Sequence, residues 1–435
     1  MRIPFINSDG ALTRAFVEVC RALDARAGTP ELPAASTRFQ TAMLDNLPEA
    51  IEYINYQMPQ LILINFSDGK FDGFELMRQI VADPWLNHGA ILAVFRTSEA
   101  LERINALENA NIVHSLQHSE LKQHLPKVLE EIWNNRQILF QRALQQEFLS
   151  DISGQFVLAN DVSIVPFYAN LIANYLYNMG FIESARKIGI GLSLTEMLIN
   201  AIEHGNCGIS AGEKRAHLEA GGTAAKLIES RCRNREIAGR RVHFHYDIRP
   251  ARSVYTIRDQ GEGFDWRARL GQQEVDVLSE QGRGIWLASQ SVDQVTYNEA
   301  GNEVSLRVEH RQNMSNALPT LIGNSEIVEF EPEAVVFRQG EESSYLYYIA
   351  EGEFRVEVNG RQLATMTPGD LLIGEMSFLL EETRSASVIA NTDGKLIKIS
   401  KEAFVETIKS KPYYGIFLAK LIAQRLNRLS QRIIA

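Results

Sequence analysis

The chain has 435 residues, with 44 lysine and arginine residues against 54 aspartate and glutamate residues, which gives a net charge of −10. Hydrophobic residues make up 45% and charged residues 23%, so a disordered, collagen-like or coiled-coil protein is excluded. The length predicts about three domains. The three cysteines are too few for a disulfide framework or a zinc site and fit a reducing cytoplasm. No apolar run reaches the ~18 residues that span a bilayer, and the polar N-terminus is unlike a secretory signal, so we expect a cytoplasmic protein without a membrane contact.

Residues 1–135 alternate short apolar runs with amphipathic stretches. Three runs predict strands and two stretches predict helices. The strands are predicted at Ile3–Ile6, Leu61–Asn65 and Ile91–Phe95. The helices are predicted at Gly73–Val81 and Leu101–Leu107. This alternation is typical of a parallel α/β sheet.

Residues 125–150 have the spacing of one long helix, with Pro126 in its first turn. We expect residues 136–150 to be a connecting helix. Two interpretations stay open: the last helix of the first domain running into a linker, or a signalling helix that forms a homodimer.

The segment around Asn65 resembles the phosphoacceptor strand and loop of response-regulator receivers, because Asp72 and Gly73 follow seven and eight residues later. The resemblance covers residues 1–135 and implies a doubly wound α/β receiver-like domain. Asn65, however, stands where the family has its phosphoacceptor aspartate.

The other groups of this receiver-like site are degenerate too. Asn7 and Ser8 replace the acidic pair after the first strand, which leaves Asp9 nearby, and we expect His114 in place of the family's lysine. Aspartyl phosphorylation needs a carboxylate, Mg²⁺ and a cation together, so we assign no phosphoacceptor. Asp68 is the alternative acceptor. We expect a pseudo-receiver that serves protein contact or dimerisation.

Residues 151–310 start with helical patterns and continue with strand-like pieces, an order that predicts an α+β sandwich. The helices are expected at Ile164–Met179 and Ala185–Glu203. The strands are expected at Arg241–Ile248, Ser253–Arg258, Gln294–Asn298 and Glu303–Val308. Residues 311–325 are polar and aperiodic, as in a linker.

The first motif of this region places Glu196, Asn200 and His204 four residues apart, on one helix face. A carboxylate and a carboxamide one turn apart suit a phosphate–Mg²⁺ site. The amide oxygen is a hard ligand for the ion, and the carboxylate can orient or deprotonate a nucleophile.

Two glycine-containing motifs follow. Asp259-Gln-Gly261-Glu-Gly263 comes directly after a strand, where the carboxylate can accept the amine of adenine and the glycines allow close backbone approach. Gly282-Arg283-Gly284 opens a helical pattern and offers free N–H groups to phosphate oxygens.

Together, these motifs resemble the N, G1 and G2 boxes of the GHKL ATPase superfamily, and residues 292–304 resemble its anti-sigma-factor serine kinase branch. The resemblance implies a Bergerat-type sandwich that binds ATP and Mg²⁺. By it, Asn200 would hold Mg²⁺, Glu196 would be the catalytic base, and Asp259 would bind adenine. The remaining ATP-binding residues would be His204, Gly261, Gly263, Gly282, Arg283 and Gly284. Phe264 is expected to pack under the base.

Residues 213–241 carry eight basic side chains between the first two boxes. They are Lys214, Arg215, Lys226, Arg231, Arg233, Arg235, Arg240 and Arg241. A solvated helical insertion is one interpretation, and a docking surface for an acidic partner is the other.

Residues 326–400 give short strand-like runs separated by glycines, which predict a β-roll. Glu375 and Arg384 lie nine residues apart in the segment from Gly374 to Ala386. A guanidinium and the N–H groups of a short helix match a phosphodiester anion, and a carboxylate accepts a ribose hydroxyl.

This segment resembles the phosphate-binding cassette of cyclic nucleotide-binding domains, which implies such a domain, a β-roll with flanking helices, over residues 326–435. Arg384 would pair with the phosphate and Glu375 with the ribose. The pocket would also be lined by Gly374, Met376, Ser377, Ser385 and Ala386. The choice between cAMP and cGMP stays open.

Residues 402–434 read as a helix with an apolar stripe: Leu418, Ile422, Leu426, Leu429 and Ile433. The stripe either packs onto the roll or forms a dimer seam. No helix-turn-helix pattern follows, so we do not expect direct DNA binding.

The resemblances together imply a three-domain bacterial signalling protein that phosphorylates Ser or Thr on a protein partner under cyclic-nucleotide control. By analogy, the partner is an anti-sigma-factor antagonist or a sigma factor. A second hypothesis is a non-catalytic module that binds ATP and a cyclic nucleotide and sequesters a partner. The third, a histidine kinase, is disfavoured because residues 135–159 contain no histidine.

Overall fold

The computed structural model describes residues 1–26, 38–82, 89–107, 110–135, 152–249, 251–267, 290–310, 326–416, 418–419 and 422–423. Two compact units are distinguished by their internal contacts. The first comprises Met1–Gln146, Asn178–Gly180 and Asn313–Ala435, and the second comprises Glu147–Tyr177 and Phe181–Gln312. The predicted connecting helix 136–150 and linker 311–325 lie outside the described residues.

The N-terminal part is a parallel five-stranded sheet with helices on both faces, which confirms the α/β prediction. Its strands are β1 (Arg2–Ile6), β2 (Gln40–Leu44), β3 (Leu61–Asn65), β4 (Ala90–Phe95) and β5 (Ile112–Gln117), in the order β2-β1-β3-β4-β5. Its helices are α1 (Gly10–Arg26), α2 (Leu47–Gln57), α3 (Gly73–Ala82), α4 (Ser98–Asn105) and α5 (Leu121–Asn134). Strands β3 and β4 are buried along their whole length because a parallel sheet is covered on both sides.

Helix α5 corrects the prediction of a helix that starts at residue 125. It begins at Leu121 and ends at Asn134, so Pro126 lies inside the helix and not in its first turn. A proline there removes one intrahelical hydrogen bond. The buried side chains of Leu121, Leu125 and Leu129 hold the helix on the sheet on both sides of the proline, and this packing outweighs the local preference.

The carboxyl ends of β1 and β3 meet in a polar cluster. Asn65 is 1% exposed, and its Nδ2 donates to Asn7 Oδ1 at 2.8 Å. Asp68 accepts hydrogen bonds from the backbone N–H and from the hydroxyl of Ser8, each at 2.6 Å. The amide of Asn65 therefore donates to that of Asn7, and the carboxylate of Asp68 is engaged by protein donors.

Asp9 lies at the same edge of the sheet. Arg96 Nη2 approaches its Oδ2 at 2.8 Å and His118 Nε2 at 3.5 Å. The N–H of Ala11 and these two basic groups lower the pKa of Asp9. His114 is instead buried within β5, where burial lowers its pKa to about 4. The expectation that His114 replaces the receiver lysine is therefore wrong, and the basic groups of this edge are Arg96 and His118.

In the middle unit, helices pack on an antiparallel sheet, as the α+β prediction requires. The strands are β6 (Ile152–Leu158), β7 (Val242–Ile248), β8 (Arg252–Arg258), β9 (Gln294–Tyr297) and β10 (Glu303–Glu309), in the order β6-β7-β8-β10-β9. Helices α6 (Val165–Asn178) and α7 (Ser184–Asn200) precede β7. Alternate residues of β7, β8 and β10 are buried, since one face of the sheet carries the core.

The predicted helical insertion of the middle unit is present. It contains α8 (Ala211–Glu219), α9 (Ala224–Arg231) and α10 (Arg235–Gly239). Ser210, Thr223 and Asn234 cap these helices through hydrogen bonds from backbone N–H groups two or three residues later.

The C-terminal part is a β-roll of two four-stranded antiparallel sheets, as predicted. Its strands are β11 (Glu326–Phe330), β12 (Val335–Phe337), β13 (Tyr345–Glu351), β14 (Phe354–Val358), β15 (Arg361–Met366), β16 (Leu372–Ile373), β17 (Ser387–Ala390) and β18 (Gly394–Ser400). The sheet orders are β11-β18-β13-β16 and β12-β17-β14-β15. Helix α11 (Glu375–Leu380) lies between β16 and β17, and α12 (Lys401–Ser410) follows β18.

The tail after the roll is not one helix in its described part, which corrects the prediction for residues 402–434. Helix α12 ends at Ser410 because Pro412 follows, and helical residues resume at Tyr413. Leu418 is buried, and Ile422 packs against the same cluster. These two residues favour packing onto the roll, whereas Leu426, Leu429 and Ile433 lie outside the described residues.

The polar cluster of the N-terminal part gives a first prediction, for Asn65→Asp. An aspartate would replace a donor to Asn7 by a buried carboxylate near Asp68. We expect the free energy of opening of β3 to fall by about 2 kcal/mol near neutral pH. The pKa of the new carboxyl would be raised in the folded state, so the loss should grow as the pH rises above its unfolded pKa of about 4.

Amide hydrogen exchange of β3 in the full chain at two pH values measures this effect. Asn46→Asp, which changes the charge equally at an exposed cap, is the control and should shift the opening free energy by less than about 0.5 kcal/mol. An equal response of the two variants would contradict the prediction.

Candidate functional site

Helix α7 carries the first motif and ends in a wider turn. Residues Ala201–Asn206 form a π-helical turn, in which the N–H of Cys207 reaches the carbonyl of Ile202 at 2.9 Å. Regular α geometry was expected up to Glu203. π-turns insert one residue into a helix and recur at functional sites. Here the turn carries His204 and Gly205 to the end of the helix.

One cavity of about 750 Å³ lies beside this turn. Glu196, Asn200 and His204 line it from helix α7 and the turn, and Asp259 and Gly263 line it from the loop after β8. The structure therefore brings the first two motifs together. The third, Gly282, Arg283 and Gly284, lies outside the described residues.

The two motifs touch through glycines. A Cβ at Gly205 would lie 2.3 Å from Asp259 Cγ, and a Cβ at Gly261 would lie 2.3 Å from the Gly205 carbonyl oxygen. Both distances are too short for any other residue type. The sequence analysis gave no role to Gly205, and its contact with Asp259 supplies one.

Asn206 ties the turn to the Asp259 loop and was missed by the sequence analysis. It is fully buried, its Oδ1 accepts the N–H of Gln260 at 2.8 Å, and its Nδ2 donates to Asn160 Oδ1 at 2.8 Å. Arg240 Nη1 donates to its carbonyl at 2.9 Å. Its sequence signal is only that it follows the first motif.

A second glycine pair shapes the far side of the cavity. Gly263 has φ +82°, and a Cβ there would lie 1.8 Å from the Ala300 carbonyl oxygen. Gly301 has φ +77°, and a Cβ there would lie 2.1 Å from the Phe264 carbonyl oxygen. Phe264 is 37% exposed and meets the ring of Tyr297 edge-on at 5.5 Å. Its predicted place under a base stays a prediction.

The carboxyl of Asp259 is half-buried, and burial raises its pKa. The N–H of Gly261, at 2.8 Å from Oδ1, and the charge of Arg240 act in the opposite direction. Arg240 also lines the cavity. These donors keep a partly desolvated carboxylate available as an acceptor.

His204 is exposed, and its Nδ1 forms a hydrogen bond with the carbonyl of Ile209. That bond holds the start of the helical insertion, and the ATP-binding role of His204 stays a prediction. In the insertion, four of the eight basic side chains bond to protein groups: Lys214 to Glu203, Arg231 to Glu213, Arg240 to Glu236 and Arg241 to Ala238. Arg215, Lys226, Arg233 and Arg235 are exposed.

The β-roll contains a second candidate site around Arg384, whose side chain is 3% exposed. Nη1 donates to the Gly374 carbonyl at 3.0 Å and to Ser377 Oγ at 3.2 Å, and Nη2 donates to the Tyr345 carbonyl. The guanidinium lies 4.1 Å from the centroid of the Phe337 ring. Within the described structure, Nε has no hydrogen-bond acceptor.

Burial lowers the pKa of Arg384, while Tyr347, Glu341 and Glu375 oppose that shift. Because a buried guanidinium with an unused N–H is costly, the site favours an anion. Glu375 and Ser377 are also buried here, beside Gly374 at φ +78°.

The other predicted lining residues of this site are more open. Met376 is 52% exposed, Ser385 is exposed and Ala386 is half-buried. The structure thus gathers Gly374, Glu375, Ser377 and Arg384 and leaves Met376 and Ser385 at the surface.

Family comparisons agree with these two sites. Residues 169–308 match the family described as histidine kinase-like ATPase domain, and residues 327–411 match the one described as cyclic nucleotide-binding domain. A histidine kinase-like ATPase domain and a cyclic nucleotide-binding domain are therefore present in this chain.

Individual relatives match the chain in part. The cyclic AMP receptor protein of Thermus thermophilus is 40% identical over 97 residues, which cover 21% of this chain and 44% of the relative. The Pycsar effector protein XpPycTIR of Xanthomonas perforans is 30% identical over 135 residues, 30% of this chain and 44% of the relative. The crystal structure of Thermus thermophilus catabolite activator protein is 31% identical with a TM-score of 0.25, over 26% of this chain and 55% of that one. The chain spans less than half the length of the two curated relatives.

Two further findings concern the described part of the chain. It holds no group of three or more His, Cys, Asp or Glu side chains arranged to bind a metal ion. None of its helices is both long enough and apolar enough to cross a membrane.

The pKa of Asp259 leads to a second prediction. If its ionised form accepts the adenine amine, ATP affinity should fall as the pH is lowered through that pKa. Arg240→Gln removes a charge that lowers this pKa, so the fall should occur at higher pH. ATP titration calorimetry from about pH 8 to about pH 5 measures both curves. Arg235→Gln, at an exposed position, is the control, and coincident curves for all three proteins would contradict the prediction.

Proposed function

We propose that this chain is an ATP-dependent protein kinase that phosphorylates Ser or Thr on a protein partner and is regulated by a cyclic nucleotide. The convergence of Glu196, Asn200 and Asp259 on one cavity carries the proposal. Asp259 would accept the exocyclic amine of adenine there. The glycine contacts at Gly205 and Gly261 support this assignment, because they give the carboxylate a fixed position.

Asn200 fits a magnesium ion that arrives with the nucleotide. Its amide oxygen is a hard donor on the cavity wall, one turn from the Glu196 carboxylate. Mg²⁺ commonly takes one or two protein ligands and completes its shell with water and phosphate oxygens, so a larger protein cage is not needed. Bound there, the ion would neutralise charge on the phosphates.

Glu196 would act on the substrate hydroxyl. In the proposed transfer, the hydroxyl oxygen forms a bond to the γ-phosphorus, the bond from that phosphorus to the β–γ bridging oxygen breaks, and ADP leaves. Glu196 takes the hydroxyl proton. Positioning and charge stabilisation supply most of the rate in phosphoryl transfer, and the carboxylate adds general-base catalysis.

The second site would bind cAMP or cGMP. The unused Nε–H of Arg384 supports an anion at this point, and the buried Glu375 supports a ribose hydroxyl beside it. Regulation follows when the ligand binds two states of the chain with different affinity.

The N-terminal α/β part, residues 1–135, would serve as a pseudo-receiver. The hydrogen bond from Asn65 to Asn7 and the engagement of Asp68 by Ser8 support a role in protein contact over one in phosphorylation. The kinase-like part would cover residues 151–310, and its partner would be an anti-sigma-factor antagonist or a sigma factor, an assignment that rests on family resemblance.

Phosphotransfer is tested with Glu196→Gln. Labelled ATP and candidate anti-sigma-factor antagonists should give an acid-stable phosphoserine or phosphothreonine with the wild-type chain. Loss of the base should slow transfer on the order of 100-fold and leave the ATP dissociation constant within about twofold.

Glu229→Gln, exposed on α9, is the control and should keep full transfer. ATP binding without transfer by the wild-type chain would favour the non-catalytic module. An acid-labile phosphate on the chain itself would favour a histidine kinase.

The cyclic-nucleotide site is tested with Arg384→Leu. Loss of the guanidinium should weaken cAMP or cGMP binding on the order of 100-fold, because two charge-assisted hydrogen bonds disappear. Titration calorimetry should show ATP binding near the wild-type value. Arg338→Leu, at an exposed position of the same roll, is the control, and an equal loss of both ligands would contradict two separate pockets.

A further inference from the structure

The β-roll and the residues after it share one apolar cluster with the N-terminal α/β part of the same compact unit. We call it the tyrosine cluster; it includes Leu346, Tyr348, Phe378, Tyr413, Tyr414 and Leu418. Met58, which follows α2, packs against this cluster. Tyr56, near the end of α2, meets Tyr413 edge-on, with ring centroids 6.3 Å apart.

The backbone at Met58 is unusual for a methionine. Its φ and ψ are 44° and 61°, in the left-handed region, and its N–H caps α2 through the Ile54 carbonyl at 2.9 Å. A residue with a Cβ costs about 1 kcal/mol or more in this conformation, where glycine is the usual choice. The contact of the methionine side chain with the tyrosine cluster offsets that cost, and a glycine has no side chain to make it.

The same cluster is joined to the Arg384 site through α11. Arg384 Nη1 donates to the carbonyl of Gly374, the N-cap residue of α11, and to the hydroxyl of Ser377 in its first turn. Phe378, the next residue, is 4% exposed within the cluster and lies edge-on to Phe404 at 5.4 Å. One short helix and its N-cap thus carry two of the guanidinium's partners and a side chain of the cluster.

Access to Arg384 requires this helix to move. Arg384 is 3% exposed, so an anion reaches it only after neighbouring groups shift. Helix α11 and its N-cap residue Gly374 supply two of the acceptors that the guanidinium bonds, and the carbonyl of Tyr345 in β13 supplies the third. A shift of α11 displaces Phe378, because interiors are close-packed and do not deform continuously. The cluster that holds Met58 and Tyr56 then changes with it.

We propose that docking of Met58 and Tyr56 on the tyrosine cluster and binding of a cyclic nucleotide at Arg384 oppose each other. The docked arrangement is the one in which Arg384 is closed and bonded to α11. A ligand that opens the site releases the N-terminal α/β part, and release of that part favours the ligand, since coupling is reciprocal. This inference rests on the proposed cyclic-nucleotide site and assigns its regulatory output to the N-terminal part.

Titration calorimetry of the full chain with cAMP and cGMP tests the coupling. Tyr56→Ala and Met58→Ala should each bind the nucleotide about fivefold more tightly than the wild type, because they weaken docking. Glu52→Ala, exposed on the same helix, is the matched control and should bind as the wild type does. Tyr56 is 39% exposed, so we expect Tyr56→Ala to keep the fold. Its nucleotide affinity therefore tests the coupling even if Met58→Ala is unstable.

Amide hydrogen exchange supplies a second readout that does not depend on a variant. Saturating nucleotide should speed exchange at the end of α2, the Met58 amide included, on the order of tenfold in the wild type and leave Arg384→Leu unchanged. The coupling is overturned if Tyr56→Ala binds the nucleotide no more tightly than the wild type and if nucleotide leaves the exchange of α2 in the wild type unchanged. The proposed ligand site would survive that result. Absence of nucleotide binding by the wild type overturns the proposed ligand site and the coupling with it.

Discussion

The contact between Gly205 and Asp259 is the constraint on which the nucleotide-binding region depends. A Cβ at Gly205 would lie 2.3 Å from Cγ of the Asp259 carboxylate. The turn after α7 and the loop after β8 therefore pack together only when residue 205 is glycine. Asn206 reinforces this junction from within the turn by bonding Gln260 and Asn160. The carboxylate of Asp259 is thereby held in place, half-buried, with Oδ1 bonded to the N–H of Gly261.

The roll depends on a different constraint, a buried cation. Arg384 lies among aromatic rings and backbone carbonyls, and an arginine remains charged at any physiological pH. Removing such a group from water is expensive unless an anion or several acceptors compensate. Gly374, Ser377 and Tyr345 satisfy the hydrogen bonds of this guanidinium only in part. The closed arrangement is therefore stable and still favours an anion. The Arg384 site therefore combines precise positioning with incomplete satisfaction of one charged group.

Two of the three errors of the sequence analysis have a common origin. Pro126 was placed at the start of a helix and His114 at a functional edge because local spacing allowed both. In the structure, Leu121, Leu125 and Leu129 anchor the helix around its proline, and β5 buries His114 together with the neighbouring Val113. The prediction of one continuous tail helix was wrong at Pro412, a helix-breaking residue that the sequence analysis overlooked. In the first two cases packing outweighed a local preference, and no window of neighbouring residues contains that information.

Periodicity and motif spacing alone determined the α/β, α+β and β-roll regions and put Glu196, Asn200 and His204 on one helix face, because these features repeat over short stretches of chain. Spacing also proposed Asp259 and the Glu375–Arg384 pair, though not what surrounds them. Only the tertiary structure decided that Asp259 contacts Gly205 and that Asn206 bonds the two loops together. It also decided that Ser8 bonds Asp68 and that Met58 packs against the tyrosine cluster. Each of these joins residues from distant parts of the chain, and such contacts are fixed by the packing of whole elements against one another.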